Sequence, residues 1–382
     1  MVPSVLSRVV TTGHARPAQC LIDTAALNAA ALTVVGALVR PAAEVVERFA
    51  FRANDYYTSL IDWDDPHDPI RKLIVPRDEE LVEFGSLDAS NEAANTPLAG
   101  LQRKYRDTAL LLVTDQCACF CRYCFRKRLF LPGSRETHRD CREGLEYVAS
   151  HPEITDVLLT GGDPLTLSSA YLRGTVEQIL AIPHVRTIRL GSKTPAFNPY
   201  RIIDDPELAQ MVRDVLAHGR SFYLMAHFDH PRELTAEALA ALAMLRAGGA
   251  MCVNQCPVTR GINDDAEVLA DLFQRCTDAG CPQYYVFQCR PTTGAAHFTV
   301  PLVRAFELVD RARESVSGLS RRARFCLSHE SGKIEIVGVD ERHIYARYHR
   351  SKYPEHAGRF FVYRRDDAAW WVDQLVVAEQ DA

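Results

Sequence analysis

Between Thr108 and Val316, runs of β-branched, aromatic and leucine residues take turns with amphipathic helical stretches, six times over, and this alternation limits the fold more than any other feature. It is the pattern of a parallel sheet, because the chain must return through a helix before the next parallel strand can start. Strands are expected at Ala109–Thr114, Asp156–Thr160, Arg186–Leu190, Ser221–Phe228, Ala250–Cys256 and Tyr284–Cys289. Each is nearly continuous in apolar residues, as strands covered on both faces must be. The helical half of the unit is clearest at Ala236–Ala247, where Leu239, Leu242 and Leu245 recur at helical spacing between Thr235, a suitable N-cap, and the stop Gly248-Gly249. Six parallel units make a partial barrel or a doubly wound sheet. In either, functional groups gather at the carboxyl ends of the strands.

The flanks read differently. Ala and Leu runs from 25 to 50 are helix-like, and Asp62-Trp-Asp-Asp-Pro-His-Asp-Pro69 is a loop by composition. A long helix is expected at Val303–Val316, then strand-like segments at Arg324–Leu327 and Lys333–Val337 and a polar end. The expected division is a mostly helical extension over 1–106, a βα domain over 107–316 and a C-terminal segment over 317–382. With 44 Lys and Arg against 49 Asp and Glu the net charge is −5, so no bulk positive field is available for a nucleic acid. The apolar stretch Ala25–Val39 is too short for a bilayer, and Met1–Gln19 has no secretory h-region, so a cytoplasmic protein without a membrane span is expected.

Four of the twelve cysteines, Cys117, Cys119, Cys121 and Cys124, fall within eight residues just after the first strand. Three of them form CxxxCxxC, and three thiolates on one tight loop can hold three irons of a [4Fe-4S] cluster while the fourth iron stays open to an exogenous ligand. A zinc knuckle or a set of buried thiols is the competing reading, although the paired spacing usual for zinc is missing. Cys119 is expected to pack rather than ligate. Gly161-Gly162-Asp163 closes the second strand, and a glycine pair there marks a tight turn or a close approach of backbone to a ligand.

CxxxCxxC at the start of a βα array resembles the radical S-adenosylmethionine superfamily. Asp55–Lys72, Leu110–Cys117, Cys121–Arg128, Asp156–Asp163, Ile188–Pro195, Ala226–Pro231, Asn254-Gln255, Arg260–Asp264 and Gln283–Cys289 resemble the matching stretches of the lysine 2,3-aminomutase family. The resemblance spans about residues 55 to 350. It implies an α/β fold, a partial (β/α)6 barrel, and an isomerase that moves an amino group from C2 to C3 of an amino acid after hydrogen abstraction by a 5′-deoxyadenosyl radical. Cys117, Cys121 and Cys124 would carry the cluster; Gly161, Gly162, Asp163, Ser192, Lys193, His227 and Gln255 would contact S-adenosylmethionine. Pyridoxal 5′-phosphate would be held as a Schiff base by Lys333, since only an amine can condense with its aldehyde and be displaced by a substrate amine, with Lys104 and Tyr105 at its phosphate. Arg126 would grip the substrate α-carboxylate. A flavodoxin- or ferredoxin-type reductant and a homo-oligomer are also implied.

The chain departs from the family at informative places. A phosphate-binding arginine of relatives is replaced by Thr108, and the glycine run before the lysine reads Ser328-His-Glu-Ser-Gly-Lys333. The two aspartates that hold the distal ammonium of lysine are replaced by Arg290 and Cys326, so a glutamate-like acidic substrate is expected. The zinc cysteines of relatives are absent, with Asp265 at one position, and no structural zinc is expected. The basic run Arg122, Arg126, Lys127, Arg128 is read as serving an anionic cluster and substrate rather than RNA. The altered lysine loop and Thr108 leave open a pyridoxal-independent radical epimerase or dehydrogenase.

Overall fold

The computed structural model describes residues 43–378. They build a mixed α/β structure around one sheet of eleven strands whose spatial order is the chain order, β1 to β11. The six expected strands are present as β2 (Thr108–Thr114), β3 (Asp156–Gly161), β4 (Thr187–Ser192), β5 (Ser221–Ala226), β6 (Met251–Val258) and β7 (Gln283–Gln288), each paired in parallel with the next. Between and after them run α1 (Arg142–Ala149), α2 (Ser169–Leu180), α3 (Pro206–Ala217), α4 (Ala236–Ala247), α5 (Ala266–Asp278) and α6 (Leu302–Glu314). Strand β8 (Arg324–His329) continues the parallel set, and β9 (Gly332–Val339) turns back against it. In α4 the Thr235 hydroxyl accepts from the Ala238 amide, Leu242 and Leu245 are buried, and Gly248 ends the helix as the pattern requires.

Three elements lie outside the expected set. Strand β1 (Leu101–Tyr105) pairs antiparallel with β2, while β10 (His343–Ser351) and β11 (Phe360–Arg364) extend the far edge. The polar end of the sequence is therefore sheet: Ile344 and Ala346 alternate inward between outward His343, Tyr345 and Arg347, the pattern of a strand covered on one face. Before β1, the described part of the N-terminal extension holds short helices, Ala43–Arg48, Asp55–Thr58 and Pro69–Ile74, two 3-10 turns at Asp78–Leu81 and Ala93–Asn95, and irregular chain between them. Of the helix-like run expected over 25–50, the part before residue 43 lies outside the described residues and the rest holds Ala43–Arg48. Among the described residues no helix is long and apolar enough to cross a membrane.

Two apolar clusters organise the interior. The larger joins the sheet to α1–α6; the smaller holds Tyr57, Ile70, Leu73 and Ile74 against Ala118, Cys119, Tyr123, Phe197 and Phe298. The N-terminal extension thus packs on the cysteine loop, at the carboxyl end of the parallel strands.

Candidate active site

The cysteine loop follows β2 directly and is held from outside. The Phe120 amide donates to the Arg52 carbonyl at 2.9 Å and the Arg122 amide to the Leu73 carbonyl at 2.8 Å. Arg122 is buried and grips the Glu80 carboxylate with two bonds of 2.8 Å, an arrangement that repays the desolvation of both charges. Cys119 is 1 % exposed among apolar side chains, whereas Cys117, Cys121 and Cys124 keep some accessible surface. Burial pushes all three of those thiols up, and the nearby Cys124 adds to the effect at both Cys117 and Cys121. Among the described residues no three His, Cys, Asp or Glu side chains converge on a single metal ion. An iron–sulfur cluster asks less, because its cysteines bind different irons and need only face one space.

Gly161 and Gly162 have a specific steric reason. A Cβ on Gly161, whose φ is +112°, would stand 2.4 Å from the Thr114 carbonyl oxygen, and one on Gly162 would stand 2.3 Å from that of Gln116. The two glycines let β3 close on the segment leading into the cysteine loop, and the amides of Gly162 and Asp163 donate to those same carbonyls. Asp163, expected to contact S-adenosylmethionine, is engaged within the protein. One carboxylate oxygen accepts at 2.9 Å from the Ser192 and Thr194 hydroxyls and the Lys193 and Thr194 amides, and the other accepts from the Leu165 amide at 3.0 Å. Its acceptor capacity is used in clamping the end of β3 to the end of β4.

Lys193 is equally committed. Its ammonium lies 2.7 Å from both Asp229 and Glu233 and donates to the His227 carbonyl at 3.1 Å. Burial alone would lower Lys193 and raise Asp229; the attraction between them outweighs it and shifts each the other way, which keeps both charged. The Tyr123 hydroxyl donates to Asp229 and meets His227 Nε2 at 2.9 Å, and the Tyr57 hydroxyl donates to Glu233. His227 follows β5 with its side chain 28% exposed. Gln255 lies within β6, three residues before its end rather than at it.

A second group of charges lies at β1 and β7–β10. Lys333, one residue into β9, is half-buried with its ammonium over the Tyr285 and Phe287 rings, 5.1 and 5.2 Å from their centroids. Burial, together with Arg290 and Arg350, lowers it to about 7. Burial, Arg290 and Lys333 likewise lower Lys104, which donates to the His329 carbonyl, to about 7. The Tyr105 hydroxyl is buried without a hydrogen-bond partner. Arg290 stacks on Phe125 with its guanidinium carbon 3.6 Å from the ring centroid and donates to the Ser90 hydroxyl at 2.6 Å. Burial lowers Arg290 to about 10 against the pull of Glu92. Cys326, on β8, is buried close to Lys333.

Arg126 differs from expectation. Four of its five N–H groups are engaged within the protein: it donates to both oxygens of Glu92 at 2.8 to 3.2 Å, to Thr160 at 2.9 Å and to Gln102 at 3.2 Å, and one Nη1 hydrogen is left over. The rest of the basic run is also paired inside the protein, Arg128 with Glu92 and Glu136 and Lys127 with Glu80. Burial would raise Glu92, but Arg126, Arg128 and Arg290 hold it far below the carboxylate range. Sequence reasoning missed Glu92, Glu80 and Arg350, whose contacts are 34, 42 and 242 residues away in the chain. A patterning signal was present for two of them, Glu80 and Glu92, because a run of buried basic residues demands carboxylates somewhere.

No family model matches the chain. Among curated proteins, "Putative L-lysine 2,3-aminomutase" of Aquifex aeolicus is 50% identical over 339 residues, 88% of this chain and 91% of that protein. L-lysine 2,3-aminomutase of Acetoanaerobium sticklandii is 36% identical over 268 residues, 69% of this chain and 63% of that protein. Glutamate 2,3-aminomutase of Clostridioides difficile is 35% identical over 281 residues, 72% of this chain and 65% of that protein. Six βα units, a CxxxCxxC loop at their carboxyl end and identity at this level over most of the length place the chain in the lysine 2,3-aminomutase family of radical S-adenosylmethionine isomerases.

Proposed function

We propose that the chain is a pyridoxal phosphate-dependent amino acid 2,3-aminomutase acting on a glutamate-like substrate, with β2–β7 and α1–α6 curved as a partial (β/α)6 barrel around the reacting groups. The observation that carries this reading is a half-buried amine, Lys333, held near neutrality beside Lys104, Arg290 and an unpartnered Tyr105 hydroxyl. Those residues suit an aldehyde cofactor bearing an anion: a lysine free to act as a nucleophile at neutral pH, and donors with no carboxylate of their own. Cys117, Cys121 and Cys124 suit a [4Fe-4S] cluster. Bound there, the cluster with S-adenosylmethionine would supply hydrogen-atom abstraction, and pyridoxal phosphate an exchangeable linkage to the substrate nitrogen.

The chain's own residues have separable tasks. Asp163 fixes the ends of β3 and β4 so that the backbone of Gly161 and Gly162 and the Ser192 loop present a fixed surface to S-adenosylmethionine. Lys193, with Asp229 and Glu233, holds the His227 segment in place rather than touching a ligand itself. His227 and Gln255 complete the S-adenosylmethionine contacts. Lys333 exchanges its amine for that of the substrate and takes the product's place at the end of turnover. Arg290, with one hydrogen bond to Ser90, has donors left for a side-chain carboxylate, and Cys326 lines the same pocket without charge. Glu92 orients Arg126, whose guanidinium faces the substrate α-carboxylate from a fixed position. A low-potential flavodoxin- or ferredoxin-type donor and self-association belong to the same reading.

The test is anaerobic reconstitution, borohydride reduction and peptide mass mapping, followed by a screen of amino acids for 3-amino products. A phosphopyridoxyl group on Lys333 and turnover of glutamate over lysine are expected. Absence of the label with an intact cluster overturns the pyridoxal assignment in favour of pyridoxal-independent hydrogen abstraction. Equal use of lysine, or an unchanged preference in Arg290→Asp, overturns the acidic-substrate assignment.

A further inference from the structure

We propose that Arg350 is the phosphate-binding arginine of this chain, delivered from β10 to the place that Thr108 leaves without a cation. The inference rests on the pyridoxal phosphate reading above and adds to it a residue that lies outside every sequence stretch used to reach that reading. Arg350 and Lys333 are directly paired across β9 and β10, so their side chains leave the same face of the sheet. The ladder slips by a residue between Tyr348 and Arg350, and an irregularity of that kind re-aims the side chain beside it. Gly332 makes the approach possible: a Cβ there would stand 2.3 Å from the Arg350 carbonyl oxygen.

The guanidinium arrives where an anion would be held. Nη2 donates to the Thr108 hydroxyl at 2.8 Å, so the short side chain receives the guanidinium that enters from another strand. Its central carbon lies 4.0 Å from the centroid of the Tyr105 ring, whose buried hydroxyl has no partner. Lys104 and Lys333 lie close by, and together with Arg290 they repel one another. The carboxylate paired with Arg350 is that of Asp107, which is mostly exposed and sits at the outer edge of the group. Glu92 and Asp156 also attract this group, but each is already paired, Glu92 with Arg126 and Arg128 and Asp156 with Arg189. A cationic group short of counter-charge, beside an unpartnered hydroxyl, fits a dianion with several acceptor oxygens, and a planar fork of donors is the side chain best shaped for it.

The experiment compares pyridoxal 5′-phosphate with pyridoxal, which lacks the phosphate, on the anaerobically reconstituted enzyme, reading affinity by absorbance titration and occupancy by borohydride trapping on Lys333. Wild type should prefer the phosphorylated form. Arg350→Gln should weaken pyridoxal phosphate about 10- to 100-fold while pyridoxal changes little, which collapses the preference. Arg350→Lys should keep part of it, and the double variant Thr108→Arg, Arg350→Gln should restore it by supplying a guanidinium from β2. An unchanged preference in Arg350→Gln, or equal loss of both ligands without rescue, overturns the proposal and leaves the pyridoxal reading standing. Failure of wild type to label Lys333 overturns the pyridoxal reading itself, so the two failures are distinguishable.

Discussion

The two charged regions of this protein are built on opposite principles. Around the cysteine loop most buried charges are paired internally: Asp163 accepts five hydrogen bonds, Lys193 is shared by two carboxylates, and Arg122 is closed on Glu80. Around Lys333 the cations outnumber their counter-charges, a hydroxyl is left unpartnered and two lysines are held near neutrality. Paired buried charges give rigidity, and cations left short of counter-charge give affinity for an anion that arrives later. The first region is a scaffold around a site, the second is the site's own chemistry.

The sharpest way to break the comparison is to remove one essential group from each region. Cys121→Ala and Lys333→Ala should each cut turnover by about three orders of magnitude or more. They should fail differently. Cys121→Ala is expected to lose iron, sulfide and reductive cleavage of S-adenosylmethionine while still trapping pyridoxal phosphate on Lys333. Lys333→Ala is expected to keep the cluster and lose the trapped label. Loss of both properties in either variant would show that the two regions form one cooperative unit.

Stability separates them at the next scale. Lys193→Met strands Asp229 and Glu233 as buried uncompensated carboxylates and should cost about 3–5 kcal/mol in urea unfolding. Arg290→Met should cost less than about 1 kcal/mol or stabilise, because it removes a buried cation whose own ionisation is already disfavoured and leaves Glu92 with Arg126 and Arg128. Similar costs for the two would erase the distinction between consumed and spare charge.

The parallel half of the fold was legible because both halves of each unit carry local signals: apolar runs for strands such as Leu110–Val113, and a cap and stop for α4. Strand β1 was missed because Gln102, Arg103 and Lys104 break its pattern, and β10 because its alternation sits among arginines and histidines. The cysteines and Lys333 were legible since chemistry restricts the residue type at those positions. What Asp163 and Arg126 touch was not, because a carboxylate bound by five donors and one free to receive a ligand have the same letter. Only the fold brings the partners together.

The smallest expected effect concerns protons. Lys333 is lowered to about 7 first by burial and then by the positive charge of Arg290 and Arg350. Its amine is therefore free above about 7 and protonated below, so borohydride-trapped pyridoxal phosphate should rise with pH around that value. The sign for stability follows from the same shift. An unfolded lysine takes up its proton near 10.4. Acidification from about 10 to about 7 thus favours the unfolded chain, and below about 7 this residue adds no further change. Arg290→Met removes one source of repulsion without uncovering the amine, so the trapping midpoint should move upward yet stay below that of an exposed lysine. A midpoint that does not move would mean that Arg290 contributes nothing to the lowering, which burial and Arg350 would then carry, and the contrast between the two regions would rest less on spare charge at Arg290.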